Sequence, residues 1–195
     1  MKSDQSLQEK FTICIATKNR PDFLLRLLKY YSATDYRGHL FIGDSSDGEH
    51  LEKNRDAVKA FEGIVQIYYR KFPGLRNNHV NAELVSQIET EFSSPLADDD
   101  IIITSSIAPG IQYLMDHNEA VGVNGKSIIF GVESEGAFGN VIGIGEYPLA
   151  EVLNSTGKAR FMSAFDQIKN INLCIHKTEN QKIVYSTISK MSVFQ

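Results

Sequence analysis

The chain has 195 residues, 42% of them hydrophobic, which is enough for one α/β domain with a sizeable core. Its formal charge of −4 excludes a basic nucleic-acid footprint, and an anionic ligand would have to meet local cations or a bound metal. The two cysteines, Cys14 and Cys174, form neither a metal-ligand spacing nor a redox pair. Both sit in apolar runs and read as small buried residues of a reducing compartment. Residues 1–10 are polar, carry no signal-like apolar stretch and read as a disordered arm. No window is apolar enough to span a membrane, so a cytoplasmic protein is expected, with peripheral attachment to a membrane left open.

The run FTICIAT, Phe11 to Thr17, suits a buried strand of a parallel sheet. Lys18-Asn19-Arg20-Pro21 breaks it. Pro21 fits the first turn of a helix carrying Phe23, Leu24, Leu27, Leu28 and Tyr31 at helical spacing. His39 to Gly43 is a second strand, ended by the loop Asp44-Ser45-Ser46-Asp47-Gly48. A helix over Leu51 to Phe61 and a third strand over Ile64 to Tyr69 follow. Val80, Leu84, Val85, Ile88 and Phe92 predict one long helix from Asn78 to Phe92, stopped by Ser93-Ser94-Pro95. After Asp98-Asp99-Asp100 and a triple isoleucine comes a helix from Ile107 to His117. Beyond Ala120, strand-like runs alternate with Gly-rich turns. Helices are expected over Lys158–Lys169 and Glu179–Met191, with a strand over Asn172–His176.

The expected fold class is therefore α/β: a doubly wound, mostly parallel sheet, Rossmann-related, with a less regular C-terminal part. The expected division is an arm at 1–10, a nucleotide-binding domain at 11–132 and an acceptor-side or closing segment at 133–195.

Ligands of such sheets bind at the carboxyl ends of strands, near the switch in strand order. Three polar clusters fall there: Thr17 to Arg20, Asp44 to Asp47, and Asp98 to Asp100. Three adjacent carboxylates between apolar stretches repel one another, and a hard divalent cation with ligand phosphate oxygens would resolve the repulsion. The competing reading is a solvated turn or cap. Asp44 is placed to meet a ribose or base edge, or to cap a turn. Lys18, Arg20, Lys71 and Arg76 are the nearest cations, and Arg76 precedes a helix amino terminus, a natural anion site. The five histidines show no paired metal spacing. A phosphate-binding P-loop, a GxGxxG element after the first strand and a Gly-x-Ser-x-Gly elbow are all missing from the sequence.

FTICIATKNRPDFLLRLLKYY, LFIGDSSDG and LADDD, in this order and spacing, resemble the inverting family-two-like glycosyltransferases of GT-A fold. The resemblance covers about Phe11 to Val123. Lys18 stands where the family often has a tyrosine. The resemblance implies that Ala16, Thr17 and Arg20 line the nucleotide pocket and that Asp44 binds the base. It implies Arg76 near the diphosphate, Asp98 and Asp99 at ribose and pyrophosphate, and Asp99 or Asp100 holding Mn²⁺ or Mg²⁺. The implied activity is transfer of a hexose-like sugar from a UDP- or GDP-linked donor to a carbohydrate or lipid-linked acceptor, in polysaccharide or glycolipid synthesis. The family's base lies downstream. Glu133, Glu135, Glu146 and Asp166 are the available carboxylates, and Asp166 is taken as the weak candidate. Two alternatives remain: a nucleotide-sugar-binding domain without full catalytic machinery, and a nucleotidyltransferase. The chain is short for a complete enzyme of this class.

Overall fold

The computed structural model describes residues 2–147, 152–166 and 174–190. A six-stranded sheet has the order β3-β2-β1-β4-β8-β5. Strands β1 (Phe11–Thr17), β2 (His39–Asp44), β3 (Gln66–Lys71) and β4 (Phe92–Ala97) run parallel. Helices α2 (Pro21–Ala33), α3 (Gly48–Phe61) and α4 (Asn77–Ser86) link them in turn. The short β8 (Ile175–Lys177) is antiparallel to both β4 and β5 (Gly122–Val123), so the parallel sheet gains a mixed edge. Helix α5 (Ile107–Asp116) precedes β5, and α7 (Thr178–Lys190) follows β8.

Alternation along β1 explains the layers. Phe11, Ile13 and Ile15 enter one core with Leu24, Leu27, Leu28 and Tyr31 of α2 and Ile107, Ile111 and Leu114 of α5. Cys14 and Ala16 point the other way, into a core with Val80, Leu84 and Val85 of α4 and Tyr185 of α7. Both faces are covered, and every residue of β1 is buried, as a central parallel strand requires. Gly43 makes the second layer possible: a Cβ there would collide with Val80 and Leu84, so α4 lies directly on the β2 backbone.

Two expectations are corrected. The helix expected from Asn78 to Phe92 ends at Ser86, and Phe92–Ala97 is strand β4. Ile88 and Phe92 continue the helical spacing but are buried from a turn and a strand. Pro95 is tolerated because the Phe92 amide bonds to Lys10 on the β1 side. Alternation then turns position 95 toward the β8 side, where β8 pairs only with Phe92 and Ser93. The arm expected at 1–10 holds helix α1 (Lys2–Gln8). Leu7 packs on the main core, and Gln8 donates to the Thr104 carbonyl and accepts from the Arg37 amide.

A hairpin of β6 (Ser127–Val132) and β7 (Val141–Tyr147) forms a separate two-stranded sheet with Ile128, Ile129, Ile142 and Ile144 exposed. Helix α6 (Gly157–Asp166) follows. Among the described residues, no helix is long and apolar enough to cross a membrane.

Candidate functional site

The chain leaves β1 toward β2 and β3, then returns to place β4 on the other flank of β1. The strand order therefore reverses between β1 and β4, and the carboxyl ends of these strands are where open sheets of this kind take their ligands. The register brings Thr17, Asp44 and Lys71 level, and Ala16 level with Ala97, so Asp98 emerges beside Thr17.

Asp98 is buried and held from two sides. The Thr17 hydroxyl donates to its Oδ2 at 2.7 Å, and Arg20 donates to its Oδ1 at 2.7 Å. Arg20 also reaches Oδ2 of the exposed Asp99 at 3.1 Å. Burial lifts the Asp98 carboxyl above its ordinary range; Thr17 and Arg20 oppose the lift, and Asp99 adds to it. Asp100 is half-buried, and its carboxylate accepts no hydrogen bond from the described residues. Burial and the Asp99 charge raise it too, while Arg26 pulls it down.

Arg26 gave no signal of its own in the sequence reading. It donates to the Asp99 carbonyl at 2.8 Å and to the Ala137 carbonyl at 3.2 Å. Arg20 and Arg26 lie 4.0 and 4.9 Å from the centre of the Phe23 ring. The spacing Arg20, Phe23, Arg26 is the i, i+3 pattern of one helix face, and that was the available signal.

Asp44 is buried at the end of β2 with three donors around it. The Ser46 amide reaches Oδ1 at 2.7 Å, and Asn54 and Tyr69 reach Oδ2 at 2.9 and 2.6 Å. It therefore clasps α3 and β3 to this edge of the sheet. Asn54 and Tyr69 had no distinguishing sequence context. Asn19 joins the two neighbouring loops: its amide donates to Ser46 Oγ at 2.7 Å, and its Oδ1 accepts from the Asp47 amide at 3.1 Å. Its φ of 56° lies in the left-handed region, which asparagine tolerates better than most residues. Asn19→Ala is expected to destabilise by about 1–2 kcal/mol and Asn19→Gly by less, because glycine keeps the backbone and loses only the side-chain bond. Urea unfolding checks this; equal losses would mean that backbone strain contributes nothing.

Ala16 is buried in β1 beneath this edge. Arg76 is exposed at the amino end of α4, one loop from the end of β3, and is thus on the same edge as Thr17 and Asp98. Lys18 is exposed on the β1–α2 loop. Asp166 closes α6, and its side chain lies outside the described residues. Glu133 accepts from Asn140 at 2.9 Å within the hairpin turn.

No group of three or more acidic, histidine or cysteine side chains is arranged for a metal among the described residues. The donor chemistry is narrower than three aspartates suggest. Both Asp98 oxygens are engaged, which leaves the carboxylates of Asp99 and Asp100. Two hard oxygen donors fit Mg²⁺ or Mn²⁺, ions commonly held by one or two carboxylates and substrate phosphates.

No family model matches the sequence, and no curated protein matches it. Solved structures do. One is S. aureus TarS 1–349, with a TM-score of 0.55 at 15% identity, covering 86% of this chain and 47% of that one. Another is the same protein in complex with UDP-GlcNAc, with a TM-score of 0.53 at 16% identity, covering 86% and 45%. The fold is GT-A-like. A looser likeness, with a TM-score of 0.49 at 15% identity covering 58% and 34%, is to the mannosyltransferase PcManGT from Pyrobaculum calidifontis in complex with GDP-Man and Mn²⁺; it is too distant to argue from. The chain spans about half the length of the TarS structures it matches. The expected α/β class and the expected GT-A-like fold both hold. The described part of this GT-A-like chain ends in β8 and α7.

Proposed function

We propose that this chain is a nucleotide-sugar glycosyltransferase domain, moving a hexose from a UDP- or GDP-linked donor to an acceptor hydroxyl with inversion. The observation that carries the reading is the convergence of Thr17, Arg20, Asp98 and Asp99 at the reversal between β1 and β4. S. aureus TarS, which has this fold, was solved with UDP and with UDP-GlcNAc.

In this reading Ala16, Thr17 and Asp44 form the wall against the nucleoside, with Asp44 facing the base and Asp98 the ribose. Arg20 and Arg76 meet the diphosphate, Arg20 by turning its fork from Asp99 toward phosphate oxygens. Asp99 and Asp100 would hold Mn²⁺ or Mg²⁺, which neutralises charge on the departing diphosphate. The acceptor oxygen bonds to the anomeric carbon as the sugar–phosphate bond breaks, through an oxocarbenium-like state. A carboxylate takes the acceptor's proton, and Asp166 is the residue proposed for it. The acceptor is a carbohydrate or a lipid-linked sugar.

One observation favours a second reading, a nucleotide-sugar-binding domain without full catalytic machinery. Arg20 already pairs with both Asp98 and Asp99, so the cluster is partly neutralised by the chain itself.

Thermal unfolding with UDP, GDP, CDP and dTDP, each with and without Mn²⁺, tests both readings. Binding to the folded state raises the midpoint. A metal-dependent rise with one nucleotide, followed by sugar transfer or donor hydrolysis, supports the enzyme. Binding without turnover supports the second reading. Pyrophosphate release from a nucleoside triphosphate would point to a nucleotidyltransferase, and no shift with any nucleotide would refute the donor site.

A further inference from the structure

Arg26 stands at the junction of three segments. It leaves the middle of α2, one guanidinium nitrogen donates to the Asp99 carbonyl at 2.8 Å, and the other donates to the Ala137 carbonyl at 3.2 Å. Ala137 is the only buried residue of the hairpin turn 133–140. Next to it, the Phe138 ring receives Lys29 Nζ at 5.1 Å, again from α2. The turn is braced internally: the Glu133 amide donates to the Asn140 carbonyl at 2.9 Å, and the Ser134 hydroxyl donates to the Phe138 carbonyl. It therefore docks as a formed unit. A two-stranded hairpin with exposed apolar faces has little stability of its own, and its seating depends on such contacts.

On the other side, Asp99 is one of the two residues assigned to the metal. Asp98 anchors the start of this loop through its carboxylate, and the exposed Asp99 carboxylate meets only Arg20, so the path of the backbone beyond Asp98 depends on backbone bonds. The Asp100 amide bonds to the Ala97 carbonyl at 3.1 Å, and Arg26 grips the Asp99 carbonyl from below. Both carbonyls are gripped by one planar fork. An ammonium could reach either of them but could not span the pair with that geometry. The Nε of the same guanidinium is buried without a partner, so the group is held in place by its two terminal nitrogens.

We propose that Arg26 is a positioning residue that couples the β6–β7 hairpin to the aspartate loop, so that seating of the hairpin turn sets the presentation of Asp99 and Asp100. This rests on the glycosyltransferase reading for its consequence, but the coupling itself does not. When the turn seats, Arg26 is anchored and the Asp99 carbonyl is fixed. When the turn leaves, the fork loses one end and the loop loosens. By linkage, a ligand that orders the aspartate loop also orders the turn.

Amide hydrogen exchange on the full chain reads both ends, with the Asp100 amide reporting the loop and the Glu133 amide reporting the turn. Arg26→Gln is expected to speed exchange at both by about tenfold, the scale of hydrogen bonds to a charged donor. Arg26→Lys is expected to restore one of the two and not both. Phe138→Ala, which removes only a contact between the turn and α2, is expected to speed exchange at Asp100. A purely local role for Arg26 would leave Asp100 unchanged in Phe138→Ala, and that result overturns the proposal. So does an equal rise at the Ile15 amide in β1, which would report general loss of stability. Binding of UDP or GDP with Mn²⁺ is expected to weaken about tenfold in Arg26→Gln. If the unaltered chain binds no nucleotide, the functional reading fails while the exchange results still decide the coupling.

Discussion

Asp44→Ala is expected to lower the stability of this domain by about 3 kcal/mol, because it leaves buried donors without an acceptor. The Ser46 amide and the Asn54 side-chain amide both lie out of reach of water, at 4% and 0% exposure. Tyr69 is only partly buried and can turn its hydroxyl to solvent, so most of the cost falls on the other two. Asp44→Asn should be much milder, about 1 kcal/mol. The new side chain keeps one oxygen for the Ser46 amide, and the Asn54 amide keeps its bond to Ser46 Oγ at 3.2 Å. Urea unfolding of the two variants gives the comparison. Equal losses would show that the clasp is not a matter of unpaired donors. The change also bears on the site, since Ser46 accepts the Asn19 amide and so ties the β2–α3 loop to the β1–α2 loop.

The second large effect is on binding. On the metal role proposed for Asp99, Asp99→Ala is expected to weaken metal-dependent nucleotide binding by about a hundredfold or more, since even the outer partners of metal ligands cost about 10–100-fold. The fold should survive. The Asp99 carboxylate is 48% exposed, and its ion pair with Arg20 is of the surface kind, worth under about 1 kcal/mol. Its removal also relieves Asp98 and Asp100, both of which it pushes upward. A carboxyl held above its ordinary range stabilises the fold at pH below that range and loses this contribution as pH rises through the raised value. Without metal at neutral pH, the variant should thus be no less stable than the parent beyond the small ion-pair term. Metal binding by the parent should weaken on acidification, beginning above the ordinary aspartate range because Asp100 takes up its proton early. Titration calorimetry with Mn²⁺ and UDP or GDP across pH is the measurement. Undiminished binding by Asp99→Ala would refute the metal role proposed for Asp99.

Strand ends were legible because they are chemically abrupt. FTICIAT stops at Lys18, and HLFIG stops at Asp44, so β1, β2 and their polar edges could be placed from residue types alone. β4 was not legible, because Pro95 and a helix-like recurrence from Val80 to Phe92 both argued against a strand. Only the neighbouring register shows that the missing amide would face away from β1. Helix α1 was hidden by polar composition, since Leu7 and Gln8 tie it down through residues almost thirty and a hundred positions away. Within the site, Arg20 and the aspartates announced themselves by charge at a loop. Arg26, Asn54 and Tyr69 did not, because each acts from inside a regular element on a partner distant in sequence.

The burial of β1 also has a chemical consequence. Cys14 lies at 0% exposure in the central strand, and burial pushes its thiol far above the range in which a thiolate forms. Cys174, in the segment entering β8, is pushed up to about 11. Cys14 is sealed from a maleimide while its covering layer is intact. The Cys14 sulfur becomes reactive only when the α4 and α7 layer lifts from the face of β1 that it occupies. The chain thus carries its own chemical clock, in which the labelling rate of one sulfur counts the openings of that helical layer.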